Sequence, residues 1–193
     1  MSFLKIKKIL FVLCFFFSTT NLFASSSEFI GVVGAAIGDI KNQKNETLGN
    51  GSKIYFGDTI IVEAMSNAQI LFLDQTVITV GEKSELTIDE FIYDPQTSVG
   101  KFVSNIKSGT VKIITGEISK QNPDNLQINI PTGTIGARGT EFVILAEDND
   151  STVVLLGPGP NNTLGMIPGN LEVSDGINSI DITTPGFQTT VTN

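Results

Sequence analysis

The feature that most constrains this chain is a succession of short apolar segments, each closed by glycine, proline, asparagine or aspartate, with no amphipathic helix between them. Leu126, Ile128 and Ile130 alternate with Gln127 and Asn129, and Leu86 and Ile88 alternate with Glu85, Thr87 and Asp89. A period of two sends successive side chains to opposite faces, the mark of a half-buried strand. Comparable segments lie at 52–56, 59–63, 76–80, 140–146, 152–156, 171–173, 180–182 and 187–191. The continuous apolar run of 68–73 reads as a strand covered on both faces. Ser108-Gly109, between apolar segments at 101–107 and 110–115, reads as a hairpin turn. Only 116–125 has room for a helical turn. The pattern predicts an all-β fold, an antiparallel β-sandwich or jelly-roll-like roll of short strands. A β-solenoid-like stack is the alternative, although no fixed-length repeat recurs.

The first residues read as an address. Lys5, Lys7 and Lys8 precede an apolar run from Ile9 to Phe17, and a polar step at 18–21 leads to Ala24. This is a secretory signal-peptide pattern whose apolar run is too short to cross a bilayer. Cleavage is expected after Ala24, with Leu22 a poor match to the small residue wanted two positions earlier. The expected organisation is therefore a signal peptide at 1–24 and one domain at 25–193, exported to the periplasm or beyond. Cys14 follows Leu13 inside the apolar run, so no lipid anchor is expected. Losing 1–24 removes three of the 12 basic residues and none of the 20 acidic ones, which takes the net charge from −8 to −11. Phosphate-backbone binding needs clustered lysine and arginine, so nucleic acid is excluded as a partner. No membrane insertion is expected once the leader is gone. The sole cysteine leaves with it, and a core must supply the stability that no disulfide can.

The stretch Pro131-Thr132-Gly133-Thr134-Ile135-Gly136-Ala137-Arg138-Gly139-Thr140-Glu141-Phe142 carries the only arginine among small residues. Its glycines, spaced by three, read as a bent and crowded strand rather than an open loop. Arg138 has a fixed fork of donors suited to carbonyls or a carboxylate. It is read as a staple of the fold, whose removal lowers the melting temperature, with an anionic-ligand site as the alternative.

In order along the chain stand Gly57-Asp58 before Ile60, Asn67-Ala68, Asp74, Ser84 ahead of Leu86 and Ile88, Gly109 before Val111, Pro131, and Arg138-Gly139-Thr140 with Phe142. This ordered series resembles the FecR domain family over about residues 31–145, with the strands of 151–193 completing the domain. The resemblance implies an all-β extracytoplasmic module and a structural role for the motif residues. It further implies an adaptor that receives the state of an outer-membrane receptor by protein contact. Two departures stand out. Gln75 occupies the place after the turn aspartate where family members carry glycine, which predicts a different backbone class for that turn. Signalling members carry an anti-sigma segment and a membrane helix ahead of the domain, where this sequence has a signal-peptide pattern. The resemblance thus implies the contact step and not the relay across the membrane.

Little in the sequence supports catalysis. There is no histidine, so Ser-His, Cys-His and histidine-rich metal sites are excluded. Gly136-Ala137-Arg138-Gly139-Thr140 lacks the lysine of a phosphate loop. Asp89-Glu90 and Asp148 with Asp150 are the nearest carboxylate pairs for glycoside hydrolysis, and both fall in expected turns, where acids are ordinarily solvated. No catalytic residue, metal or cofactor is expected. The expected function is a non-enzymatic exported module of the bacterial cell envelope that binds another envelope or surface protein and serves in cell-surface signalling. A structural, adhesive or glycan-binding surface protein is the alternative, and the oligomeric state is left open.

Overall fold

The computed structural model describes residues 28–193, and the expected leader and its cleavage site lie outside them. Fifteen strands are defined among these residues. They are β1 (Phe29–Ile37), β2 (Ile40–Asn42), β3 (Lys53–Tyr55), β4 (Thr59–Val62), β5 (Asn67–Phe72), β6 (Val77–Val80), β7 (Ser84–Tyr93) and β8 (Gly100–Ile114). After a five-residue helix, α1 (Glu117–Gln121), come β9 (Leu126–Ile130), β10 (Gly133–Arg138), β11 (Glu141–Ala146), β12 (Asp150–Gly157), β13 (Asn170–Ser174), β14 (Ser179–Ile182) and β15 (Gln188–Thr192). The molecule is all-β, as the alternating segments predict.

The strands form two sheets that share one member. The first runs β3-β1-β5-β6-β8-β11-β12-β15, and the second runs β2-β4-β7-β8-β9-β10-β13-β14. The fifteen-residue β8 gives Gly100–Ser108 to the second sheet, where it pairs with β7, and Gly109–Ile114 to the first, where it pairs with β6 and β11. The inner faces of both sheets meet in one apolar cluster that includes Ile70, Ile78 and Phe142 from the first and Ile60, Leu86 and Ile128 from the second. Phe102 is fully buried and closes one end of this core, with its ring 4.9 Å from Phe72 and 5.3 Å from Phe91.

Ser108-Gly109 is not a hairpin. Gly109 has φ +95, which bends one continuous strand from sheet to sheet. A serine-glycine step that reverses a chain and one that turns a corner share the same local preference for positive φ. The partners on either side decide which of them forms. A second correction concerns the apolar run at 68–73. β5 is covered on one face only, since Asn67, Gln69 and Leu71 are exposed, and Leu73 in the turn beyond it is exposed as well.

One pairing departs from the antiparallel rule, because β8 and β9 run parallel from Phe102↔Leu126 to Asn105↔Asn129. Parallel neighbours require a crossover of a dozen or so residues. The second half of β8, α1 and a 3-10 turn at Pro123–Asn125 supply it, so the one helical turn expected at 116–125 is the piece that carries the chain back to the second sheet. The last four strands extend both sheets, β12 and β15 in the first, β13 and β14 in the second.

Candidate functional site

Most of the motif residues singled out in the sequence sit in turns whose backbone they fix. Asp58 accepts from the Tyr55 N–H at 2.9 Å through Oδ2, its own N–H donates to the Tyr55 carbonyl at 3.1 Å, and Gly57 beside it has φ +80. The Ser84 hydroxyl accepts from the Thr110 N–H at 3.1 Å and lies against Gly109, where a Cβ would come within 2.0 Å of it. Thr140 accepts from no side chain, but its N–H donates to Thr115 Oγ1 at 2.9 Å and its hydroxyl to the Gly157 carbonyl at 2.9 Å. Phe142 is fully buried, Gly139 takes φ +54, and Pro131 is exposed at the β9–β10 connection.

Asp74 is the most enclosed of these groups, with no solvent exposure. Its Oδ1 accepts from the Thr76 N–H at 3.0 Å and its Oδ2 from Thr76 Oγ1 at 2.8 Å. The same Thr76 oxygen accepts from the Gly116 N–H at 3.0 Å, and the Glu117 N–H donates to the Asp74 carbonyl at 2.7 Å. The turn between β5 and β6 is thereby tied to the end of β8 and the start of α1. Burial raises the Asp74 carboxyl above its ordinary pKa, against the opposing pull of the Thr76 hydrogen bonds. Gln75 has φ +69. The turn therefore keeps the left-handed conformation that glycine favours, contrary to the different backbone class expected for it. A side chain that points to solvent allows glutamine to take this conformation at a cost of about 1 kcal/mol.

Arg138 does not staple the fold. It is exposed at the end of β10, and among the described residues its guanidinium has no carboxylate within ion-pair range and makes no hydrogen bond. The physical reason is register. Ile135 and Ala137 face the core, so alternation sends Thr134, Gly136 and Arg138 outward. There they line a groove of about 460 Å³ across β9, β10 and β13. Gln127 stands beside Gly136 on one side and Glu172 on the other, and Asn170 stands beside Arg138. Asp124, from the 3-10 turn, closes the end near Arg138. The Asn170 side-chain oxygen has no hydrogen-bond partner. Sequence reasoning found Arg138 but not Gln127, Asn170 or Glu172. Their only signal was the outward-facing polar positions of β9 and β13.

The carboxylate pairs considered for hydrolysis do not form a cleft. Asp89 is exposed, and Glu90 pairs with Lys101 at 2.7 Å. At the β11–β12 tip, Glu147 shares a hydrogen bond with Asp150, which raises its pKa, and both stand in solvent. Among the described residues no group of three or more histidine, cysteine, aspartate or glutamate side chains is placed to hold a metal ion. No described helix is long and apolar enough to cross a membrane.

These features define an all-β module with fixed turns and a polar surface groove. The FecR protein family matches residues 58–157, from the β3–β4 turn to the end of β12, and the chain belongs to that family. FecR proteins are regulators of cell-surface signalling rather than enzymes. No curated protein matches the sequence. Two crystal structures described as a "putative anti-sigma factor" from Parabacteroides distasonis are similar to it, each at 15% identity, with TM-scores of 0.49 and 0.47. The similarity covers 70% of this chain and 55% of theirs, so this chain spans about half the length of those proteins.

Proposed function

We propose that this protein is an exported, non-enzymatic FecR module of the bacterial cell envelope that works as an adaptor in cell-surface signalling by binding another envelope protein. The observation that carries the reading is the family match over residues 58–157, the span in which the Asp58, Asp74 and Ser84 turns are fixed. The leader pattern at 1–24 supports export. The outer strands of the two sheets give a physical route for contact, since an unpaired strand edge accepts a partner strand through main-chain hydrogen bonds. On β14, the outer strand of the second sheet, Ile180 is 52 % exposed.

The test is made in cells with the full chain. Fractionation and mass spectrometry are expected to find a mature species beginning at Ser25 outside the cytoplasm. A photo-crosslinker at position 180 is expected to trap one envelope protein that reciprocally captures this one, while the same group at the fully buried Leu86 traps none. A cytoplasmic species with an intact leader, or turnover of a substrate by the purified protein, overturns the reading.

A further inference from the structure

We propose that the groove across β9, β10 and β13 is a binding site for short zwitterionic peptides, with the peptide carboxylate on Arg138 and its ammonium group on Glu172. Three observations converge on it, and none depends on the adaptor reading.

The first is the state of Arg138. Five of the eight described lysines, Lys41, Lys101, Lys107, Lys112 and Lys120, have a carboxylate partner within 3.0 Å. The only arginine, in a strongly acidic chain, has none among the described residues, yet it lines a groove of about 460 Å³. A guanidinium fork binds a carboxylate through two parallel hydrogen bonds, a geometry that a lysine ammonium does not match.

The second is Gly136. A Cβ on Gly133 would come within 2.0 Å of the Ser174 carbonyl oxygen, and Gly139 takes positive φ, so the protein's own backbone requires both glycines. Gly136 is under neither constraint. A Cβ there would meet nothing nearer than the Glu172 Cβ at 4.0 Å. Glycine inside a strand weakens it and is the residue found where a ligand or another backbone approaches closely. Its place at the centre of the groove floor leaves the β10 backbone open to a ligand.

The third is charge arrangement. Arg138 and Glu172 occupy diagonal positions across the β10–β13 pair, since Arg138 is opposite Asn170 and Gly136 opposite Glu172. Diagonal neighbours on an antiparallel pair stand about 7–8 Å apart. Two residues of extended chain span about 7 Å, so the termini of a dipeptide match opposite charges at that spacing. Asp124 and Glu172 together outweigh Arg138, which disfavours a bare anion and suits a ligand that brings its own positive charge. Gln127, whose Nε2 donates to Asn129 Oδ1 at 2.7 Å, keeps its side-chain carbonyl for the peptide N–H. The unpartnered Asn170 oxygen lets that side chain turn toward the ligand without breaking a hydrogen bond. The volume of about 460 Å³ is within the range of small-ligand sites, roughly 300–1,000 Å³.

The probe is alanyl-alanine, in the L,L and D,D forms, titrated into the purified protein and followed by calorimetry and by NMR shifts of backbone amides. Saturable millimolar or tighter binding is expected, with shifts confined to β9, β10 and β13. Preference for the L,L form indicates a protein terminus as the source, and preference for the D,D form a cell-wall peptide. N-acetylation or C-amidation of the probe should weaken binding about tenfold, as should Arg138→Ala, because each removes a charge-assisted contact. Gly136→Val should abolish binding while leaving the melting temperature equal or higher, since a β-branched residue suits a strand. The proposal is overturned if neither dipeptide binds, if the shifts lie elsewhere, if capped probes bind as well as free ones, or if Gly136→Val binds normally. Such failure would leave the adaptor reading untouched, because that reading is tested by crosslinking in cells.

Discussion

Asp74 and Arg138 are both single charges set beside turns in the motif series, and the protein treats them in opposite ways. Asp74 is fully enclosed, with both carboxylate oxygens satisfied by Thr76, whose hydroxyl in turn accepts from the Gly116 N–H, and with its carbonyl accepting from the Glu117 N–H. Arg138 stands exposed in a surface groove with neither hydrogen bond nor ion pair among the described residues. The contrast teaches that a motif charge fixes a fold only where backbone donors or acceptors converge on it. A buried charge without such partners would be costly, whereas an exposed one can stay free for a ligand at little expense in stability.

The comparison can be broken at the enclosed end first. In Gly116→Ala the new Cβ would fall 2.2 Å from the Asp74 carbonyl oxygen and 2.4 Å from the Thr76 nitrogen, backbone atoms that cannot move aside singly. A loss of about 3 kcal/mol is expected in denaturant melts, and an unchanged midpoint would show that this turn is not tightly held. Next, Asp74→Ala strands the Thr76 N–H and hydroxyl in a dry site and should cost about 2 kcal/mol.

Asp74 also sets a pH dependence with a definite sign. Its folded pKa lies above the ordinary 3.8, so the folded state binds the proton more tightly than the unfolded one. Its contribution is fully favourable below pH 3.8 and declines as pH rises through the raised folded value. The difference in stability between the wild type and Asp74→Asn should therefore shrink as pH rises across that window. A difference that grows with pH would place the folded pKa on the wrong side. Gln75→Gly, which relieves a left-handed non-glycine residue, should stabilise by about 0.5 kcal/mol after the entropy of an added glycine is deducted. The smallest effect belongs to Arg138→Ala, expected to shift stability by less than about 0.5 kcal/mol. A large loss would restore the staple and remove the contrast.

Much of the strand pattern is legible in the sequence. The alternation of Leu126, Ile128 and Ile130 marks β9, and that of Leu86 and Ile88 marks the inner face of β7. The polar interval at 116–125 marks the one helical turn. Legibility ended wherever one local signal serves two tertiary outcomes. Gly109 could reverse the chain or carry it between sheets, and the Ser84 hydroxyl, which accepts from the Thr110 N–H 26 residues further along the chain, marks the outcome. Leu71 and Leu73 read as core because they are apolar, but Leu71 falls on the outward face of β5 and Leu73 is exposed in the turn that follows. The groove was the least legible part. Gln127, Gly136 and Glu172 come from three separate strands and meet only through the pairings Gly136↔Gln127 and Gly136↔Glu172.

By itself the sequence determined the all-β class, the position of nearly every strand and the order of the FecR motif, because side-chain alternation and turn chemistry are local properties. Tertiary structure alone decided that β8 serves two sheets, that β9 runs parallel to it, and that the lone arginine faces solvent. These outcomes depend on strand register, and a shift of one residue in register exchanges the inside of a sheet for its outside.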